Sequence, residues 1–173
     1  MKTLVIIPSR LSATRLPGKP LLKINGLSMI SHVFRKAEEA NIGDVVVATE
    51  NQEIVDDVQQ NGGRAILTKK LHKTGTDRIS EALKKFDDKN IELVMNLQGD
   101  EPLMNIEDIR KLKNQMIKNN SNLGTLASKI LDSKIFDNSN IVKVETKHSL
   151  NNTNFPEAID FGRKITSKSE NIY

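Results

Sequence analysis

The chain alternates short apolar runs with segments whose apolar residues recur every three or four positions. The apolar runs are typical of strands buried on both faces of a sheet, and the spaced segments are typical of amphipathic helices. A strand, a helix and a second strand in succession favour parallel pairing, because each parallel return needs a crossover. The pattern therefore predicts an α/β fold, a Rossmann-like three-layer sandwich with a mostly parallel sheet.

The alternation is clearest in the first two thirds of the chain. Strands are predicted at 4–8, 44–49, 65–67 and 92–97, and helical spacing occurs over 27–37, 54–58, 77–86 and 106–117. From residue 123 the pattern changes, and strands are predicted at 123–130 and 141–144 with room for one helical turn between them. No repeat or low-complexity linker interrupts the chain, so we predict a single domain over 1–173. Because the chain stops without a capped element, we expect it to be incomplete at its C-terminus.

Composition narrows the class of protein. Hydrophobic residues make up 37% of the chain, charged residues 28% and aromatic residues 3%, which is typical of a globular protein with an aliphatic core and no membrane partner. The absence of cysteine excludes disulfides and thiolate metal sites. The apolar run near Met1 is far shorter than the core of a signal peptide, so a cytoplasmic location is expected.

The net charge of +4 raises the question of a nucleic-acid partner. The lysines are scattered, and no dense basic helix or aromatic platform accompanies them, so no nucleic-acid partner is predicted. A positive field can still attract an anionic metabolite.

The segment PSRLSATRLPGKP, residues 8–20, follows the first predicted strand and has no periodic pattern. Its three prolines stiffen the backbone, and Arg10, Arg15 and Lys19 carry positive charge. Arginine binds phosphate oxygens in bidentate fashion and lysine supplies a point charge, so the trio suits a triphosphate. The segment matches neither the Walker pattern nor the dinucleotide-binding glycine pattern. A surface loop with solvated charges explains this segment, taken alone, equally well.

Two further strand ends are candidate parts of a site, because ligands of open α/β sheets bind beyond the carboxyl ends of the strands. After the third strand, HKTGTDRI offers Thr74, Gly75 and Thr76 to a ligand, although Thr76 or Asp77 serving only as a helix cap is an alternative. After the fourth strand, NLQGDEP places Asp100 and Glu101 on a turn, and Glu101 is expected to support Asp100 and not to bind the metal itself. Because Mg²⁺ typically takes one or two carboxylates plus substrate phosphates, Asp100 is a candidate metal ligand, with an ordinary turn as the alternative.

Three segments, IIPSRLSATRLPGKPL, HKTGTDRI and LQGDEP, occur in an order and spacing that resemble the 3-deoxy-manno-octulosonate (Kdo) cytidylyltransferases, also called CMP-Kdo synthetases. The resemblance runs from Met1 to about Lys143. It implies a nucleotide-diphospho-sugar transferase fold and the Mg²⁺-dependent transfer of CMP from CTP to the anomeric hydroxyl of Kdo, with release of pyrophosphate, for lipopolysaccharide biosynthesis. It also implies a homodimer for a full-length form.

The resemblance implies a set of site residues. Catalytic roles fall to Lys19, Asp100 and Arg10, nucleotide binding to Arg10, Arg15, Lys19, Thr74 and Gly75, sugar binding to Arg78, Gln98 and Arg163, and metal binding to Asp100. The segment AIDFGRKI departs from the family pattern, since Asp160 stands where an aromatic residue is expected and Gly162 where a serine is usual. Only Arg163 of that segment is therefore carried over.

Other functions stay open at this point. One alternative is a cytidylyltransferase for another sugar acid or a transferase for a different nucleotide. Another is a CTP-binding fragment without turnover. Family members typically continue for some seventy residues and supply a second metal-binding aspartate late in the chain, so we expect the 173-residue chain alone to transfer little or no CMP.

Overall fold

The computed structural model describes residues 1–12, 16–69, 72–151, 154–165 and 169–173. These residues form two compact units, Met1–Lys113 and Asn114–Tyr173. One functional domain can contain several compact units, so the single domain over 1–173 stays a prediction.

The helices and strands follow one another largely as the apolar pattern predicts. In chain order the strands are β1 (Thr3–Ser9), β2 (Lys23–Ile24), β3 (Leu27–Ser28), β4 (Asp44–Thr49), β5 (Ala65–Leu67), β6 (Leu93–Asn96), β7 (Lys143–Thr146) and β8 (Ala158–Gly162). The helices are α1 (Met29–Glu39), α2 (Gln52–Gln60), α3 (Gly75–Lys85), α4 (Ile106–Lys118) and α5 (Ser133–Asp137). Strands β4 and β5 have their predicted bounds, and α3 begins two residues before its predicted start.

The first unit contains a four-stranded parallel sheet in the order β5-β4-β1-β6. Val5 in the middle of β1 lies opposite Val45 of β4 on one side and Met95 of β6 on the other. The chain therefore builds outward from β1 to β5 and then returns to add β6 on the other side of β1. This reversal creates a crevice at the carboxyl ends of β1 and β6.

Both faces of this sheet are covered by helices, as the continuous apolar runs predict. Alternate residues of β1 point to opposite faces: Val5 and Ile7 pack with residues of α1 and α2, whereas Leu4 and Ile6 pack with residues of α3. All four of these side chains are fully buried. Helix, sheet and helix form three layers, which confirms the predicted α/β class.

Local signals set the ends of α1. The Ser28 hydroxyl accepts a hydrogen bond from the Ser31 amide and caps the first turn. Ile30, Val33 and Ala37 lie on the buried face. The helix ends before Asn41, which adopts a left-handed conformation with φ of 50°.

The second unit contains α5 and an antiparallel pair formed by β7 and β8. The single helical turn predicted between 130 and 141 is confirmed as α5. The predicted strand at 123–130 is wrong: this stretch forms no strand, and Leu123 is 89% exposed, so the strand would have lacked a buried face. The strand predicted at 141–144 begins two residues later, because Val142 is exposed whereas Val144 is buried.

None of the helices in the described ranges is long and apolar enough to cross a membrane.

Candidate active site

A cleft of about 330 Å³ lies where the carboxyl ends of β1 and β6 meet the start of α3. This volume is within the range of small-molecule sites, and the position follows the rule for open α/β sheets. The cleft is lined by the three segments that the sequence singles out. Seven of the predicted site residues line it: Arg10, Lys19, Thr74, Gly75, Arg78, Gln98 and Asp100.

The loop after β1 is folded back on itself around Gly18. This glycine has a left-handed φ of 71°, and its amide donates to the Leu11 carbonyl at 3.1 Å. Lys19 then begins a short 3₁₀ turn in which Pro20 is buried. The bend places the Lys19 ammonium at the cleft and leaves Arg10 exposed at its edge. Arg15, which was predicted to bind the nucleotide, lies outside the described residues.

Lys19 and Asp100 form an ion pair across the cleft, with Nζ 2.9 Å from Oδ2. Asp100 belongs to the turn after β6, where a Cβ added at Gly99 would lie 3.0 Å from the Pro8 carbonyl oxygen. Glycine therefore lets this turn approach the end of β1 without crowding. The side chains of both Lys19 and Asp100 remain partly exposed and accessible to a ligand.

The carboxyl group next to Asp100 is electrostatically perturbed. Partial desolvation raises the pKa of Glu101 above its ordinary value, and the charge on Asp100 raises it further. Gln98, on the other side of the turn, donates its amide to the Asn96 side chain at 3.0 Å.

The start of α3 forms the third wall of the cleft. Thr74 is its cap: the hydroxyl accepts from the Asp77 amide at 3.1 Å, and the Asp77 carboxylate accepts from the Thr74 amide at 3.1 Å. The alternative that Thr76 or Asp77 caps the helix is therefore wrong, because the cap is Thr74. Asp77 is the second residue of the capping box, since its carboxylate bonds back to the Thr74 amide. The N-terminus of α3, the positive end of its helix dipole, therefore lies at the cleft. Gly75 lines the cleft there and has no side chain to fill it.

Arg78 lines the cleft although it is only 3% exposed. Its guanidinium donates to the Glu50 carboxylate at 2.6 Å and to the Thr68 hydroxyl at 2.6 Å. The Glu50 side chain is itself largely buried. The ion pair therefore fixes the guanidinium at the bottom of the cleft.

His72 also lines the cleft and is held by Glu81 of α3, with Nε2 and Oε2 2.5 Å apart. Glu81 additionally accepts from Lys85 at 2.7 Å and from the Lys69 amide. The bond to Lys85, with smaller contributions from His72 and Lys69, lowers the pKa of Glu81 to about 2 against the opposing effect of desolvation. Glu81 therefore presents a permanent negative charge to His72 at neutral pH.

Sequence reasoning missed Glu50 and gave no weight to His72. The predicted site residues follow β1, β5 and β6, whereas Glu50 and Asn51 directly follow the carboxyl end of β4. The strand-end rule, applied to β4 as well, would have singled out both residues.

Arg163 belongs to the second unit. Its guanidinium donates to the carbonyl oxygens of Ser139 and Asn140, at 3.0 Å each. Its assignment to sugar binding stays a prediction.

The predicted metal site has few protein ligands. Within the described ranges, no group of three or more His, Cys, Asp or Glu side chains is arranged to hold a metal ion. A single carboxylate in a cleft of this size nevertheless fits Mg²⁺, which keeps several waters and takes further oxygens from a bound triphosphate. Among the described residues that line this cleft, Asp100 is the acidic one.

A family model described as cytidylyltransferase matches residues 4–165. The chain belongs to the cytidylyltransferase family. Among curated cytidylyltransferases, the chain is similar to the 3-deoxy-manno-octulosonate cytidylyltransferase of Rhodopseudomonas palustris strain BisB18. The two are 49% identical over 144 residues, and this alignment covers 83% of the chain and 59% of the relative. The enzyme of the same name from Nitrobacter winogradskyi is 48% identical over 143 residues, or 82% of the chain and 56% of the relative. The resemblance found in the motifs is confirmed, and the chain spans less than two thirds of the length of both relatives.

Solved structures of cytidylyltransferases share the fold. A CMP:2-keto-3-deoxy-manno-octonic acid synthetase complexed with CTP superposes with a TM-score of 0.85 at 34% identity, over 98% of this chain and 68% of that one. A cytidylyltransferase from Leptospira borgpetersenii superposes with a TM-score of 0.58 over 69% of this chain and 50% of that one. At 24% identity, the second likeness supports the fold alone. The predicted nucleotidyltransferase fold is thus confirmed.

Proposed function

We propose that the protein transfers CMP from CTP to the anomeric hydroxyl of Kdo and releases pyrophosphate, making the activated sugar for lipopolysaccharide biosynthesis. The observation that carries the proposal is the convergence of three separate sequence segments on one cleft at the switch point of the sheet. The names of the curated relatives and of the CTP-bound structural neighbour support the choice of nucleotide and sugar.

The charges of the cleft suit a triphosphate. Arg10 and Lys19 come from the loop after β1, and the first turn of α3 contributes its positive dipole end. Arg78 lies deeper and is neutralised by Glu50, so it offers hydrogen-bond donors with little net charge. We assign the phosphates to Arg10 and Lys19, with Thr74 and Gly75 beside the nucleotide, Arg78 between the nucleotide and the sugar acid, and Gln98 beside the sugar acid.

Transfer forms a bond between the sugar hydroxyl oxygen and the α-phosphorus of CTP and breaks the bond from the α-phosphorus to the oxygen that bridges to the β-phosphorus. The hydroxyl gives its proton to a water molecule, and pyrophosphate leaves with the electrons of the broken bond. Negative charge therefore grows on the departing oxygens, where Lys19 and Arg10 stabilise it. Positioning and electrostatics supply most of the rate in such reactions.

We assign Mg²⁺ binding to Asp100. The ion would neutralise charge on the phosphate oxygens and orient them. The ion pair between Lys19 and Asp100 keeps this carboxylate beside the cation that contacts the phosphates. We further propose a cytoplasmic location, where CTP is made, and a homodimer for the complete protein, with no nucleic-acid partner.

The test is an assay of the product of the full reading frame with CTP, Mg²⁺ and a panel of sugar acids, read by mass spectrometry. CMP-Kdo with equimolar pyrophosphate is the expected result, with little product from other sugar acids. If product formed only with a different acid, Kdo would be wrong as the substrate, and cytidylyl transfer would still be the reaction. No product with any acid, from a folded protein that binds CTP, would contradict the transferase.

A further inference from the structure

Glu50 and Asn51 follow β4 directly, and neither is among the residues that line the cleft. Their side chains nevertheless extend to two different walls of it. Glu50 contacts Arg78 of α3, and Asn51 contacts the loop after β1. One strand end thus joins the two segments between which the predicted ligand would lie.

The Glu50 contact fixes a buried charge. Arg78 is 3% exposed, and its guanidinium is held between the Glu50 carboxylate and the Thr68 hydroxyl, at 2.6 Å from each. A buried guanidinium without a carboxylate partner is strongly destabilised, so it would move toward water or draw water into the cleft. Glu50 is the carboxylate that pairs with Arg78 in the structure.

The Asn51 contact fixes the backbone of the loop. Asn51 Oδ1 accepts from the Leu11 amide at 3.0 Å, and the Leu11 carbonyl accepts from the Gly18 amide at 3.1 Å. Asn51 occupies the N-cap position of α2, yet its side chain makes no capping bond. The asparagine is therefore used for the loop and not for the helix.

We propose that Glu50 and Asn51 are positioning residues for CTP: Glu50 holds the Arg78 guanidinium at the bottom of the cleft, and Asn51 holds the loop that carries Arg10 and Lys19. This inference rests on the proposed function only in taking CTP as the ligand. Neither residue lines the cleft, so each acts through the geometry of a neighbour.

The test is calorimetric titration of the product of the full reading frame with CTP and Mg²⁺, beside a measurement of Tm. Glu50→Ala should weaken binding by about tenfold, the size expected when a hydrogen bond to a charged group is lost. Glu50→Gln should weaken binding less than Glu50→Ala, because its carbonyl oxygen can still accept from the guanidinium although it carries no charge to pair with it. Asn51→Ala should weaken binding by about fivefold, and Asn51→Asp should restore it because a carboxylate oxygen can also accept from the Leu11 amide.

The matched control is Glu53→Ala, in the first turn of α2 and outside the cleft, which should leave CTP affinity unchanged. If Glu50→Ala does not fold, Glu50→Asp replaces it, since the shorter carboxylate withdraws from Arg78; it should bind CTP more weakly at an intact fold. Parental affinity in Glu50→Asp and Asn51→Ala would overturn the positioning role. Alanine variants with a lowered Tm that bind CTP as tightly as the parent would also overturn it. A parent chain that does not bind CTP would instead overturn the proposed function, and this inference would fall with it.

Discussion

The Lys19 ammonium and the Asp100 carboxylate neutralise one another at 2.9 Å across the cleft. The cation assigned to the triphosphate and the carboxylate assigned to the metal are therefore each other's partners before any ligand binds. A triphosphate with Mg²⁺ offers both groups a new partner at once. Binding of nucleotide and metal should consequently be linked, because each ligand frees the residue that the other needs.

Asp100→Asn should uncouple the binding of CTP from the binding of Mg²⁺. The carboxamide keeps the shape of the side chain and loses the charge that holds Mg²⁺, while Lys19 is freed for the phosphates. We expect the variant to bind CTP without Mg²⁺ at least as tightly as the parent and to gain nothing when Mg²⁺ is added. Titrations with CTP in the presence and absence of Mg²⁺ measure this. An equal gain from Mg²⁺ in parent and variant would rule out the metal role of Asp100.

Lys19→Ala removes the phosphate cation. CTP affinity should fall by about tenfold or more, as expected for a lost charge-assisted hydrogen bond. Lys23→Ala is the matched control, because Lys23 is exposed on β2 and does not line the cleft. The loss in Lys19→Ala should shrink at high salt, since part of the attraction is screened. If both lysine variants bound CTP alike, the loop would be an ordinary charged surface.

The sheet was predictable because its strands are buried on both faces, so runs such as 44–49 stand out by composition. The site was predictable at the strand ends where charges and glycines stand out, including Lys19 and Asp100. Glu50 was not predictable, because the sequence does not distinguish a single acidic residue before a helix from an ordinary solvent-exposed one. Its role follows only from its ion pair with Arg78 in the structure. The strand at 123–130 was wrong because apolar content alone does not supply a neighbouring strand.

Ser9→Ala tests whether the hydroxyl at the end of β1 lowers the free energy of unfolding. Ser9 Oγ is buried and has no hydrogen-bond partner among the residues that the structure describes. Removing a buried, unsatisfied hydroxyl should raise the free energy of unfolding by about 1 kcal/mol. Ser31→Ala is the matched control, because its hydroxyl donates to Asp57 at 2.9 Å and its loss should destabilise the fold. Urea unfolding compares the two; destabilisation of similar size in both would show that the Ser9 hydroxyl is satisfied.

Glu81 should make the stability of the fold sensitive to acid. Its pKa in the folded protein is about 2, below the ordinary value of 4.5, so its contribution is fully present above pH 4.5 and is lost as the pH falls toward 2. Glu81→Gln should therefore flatten the pH dependence of the unfolding free energy within this window. Glu107→Gln, in an exposed ion pair with Arg110, should leave it nearly unchanged. Identical acid profiles for the parent and Glu81→Gln would contradict the lowered pKa.

Isotope transfer tests the central claim of cytidylyl transfer most directly. The product of the full reading frame is incubated with Mg²⁺, Kdo and CTP labelled with ³²P at either the α- or the γ-phosphorus. Attack at the α-phosphorus predicts that the α label appears on the sugar and that the γ label leaves as pyrophosphate. A γ label on the sugar, or an α label that never appears in CMP-Kdo, would contradict the account.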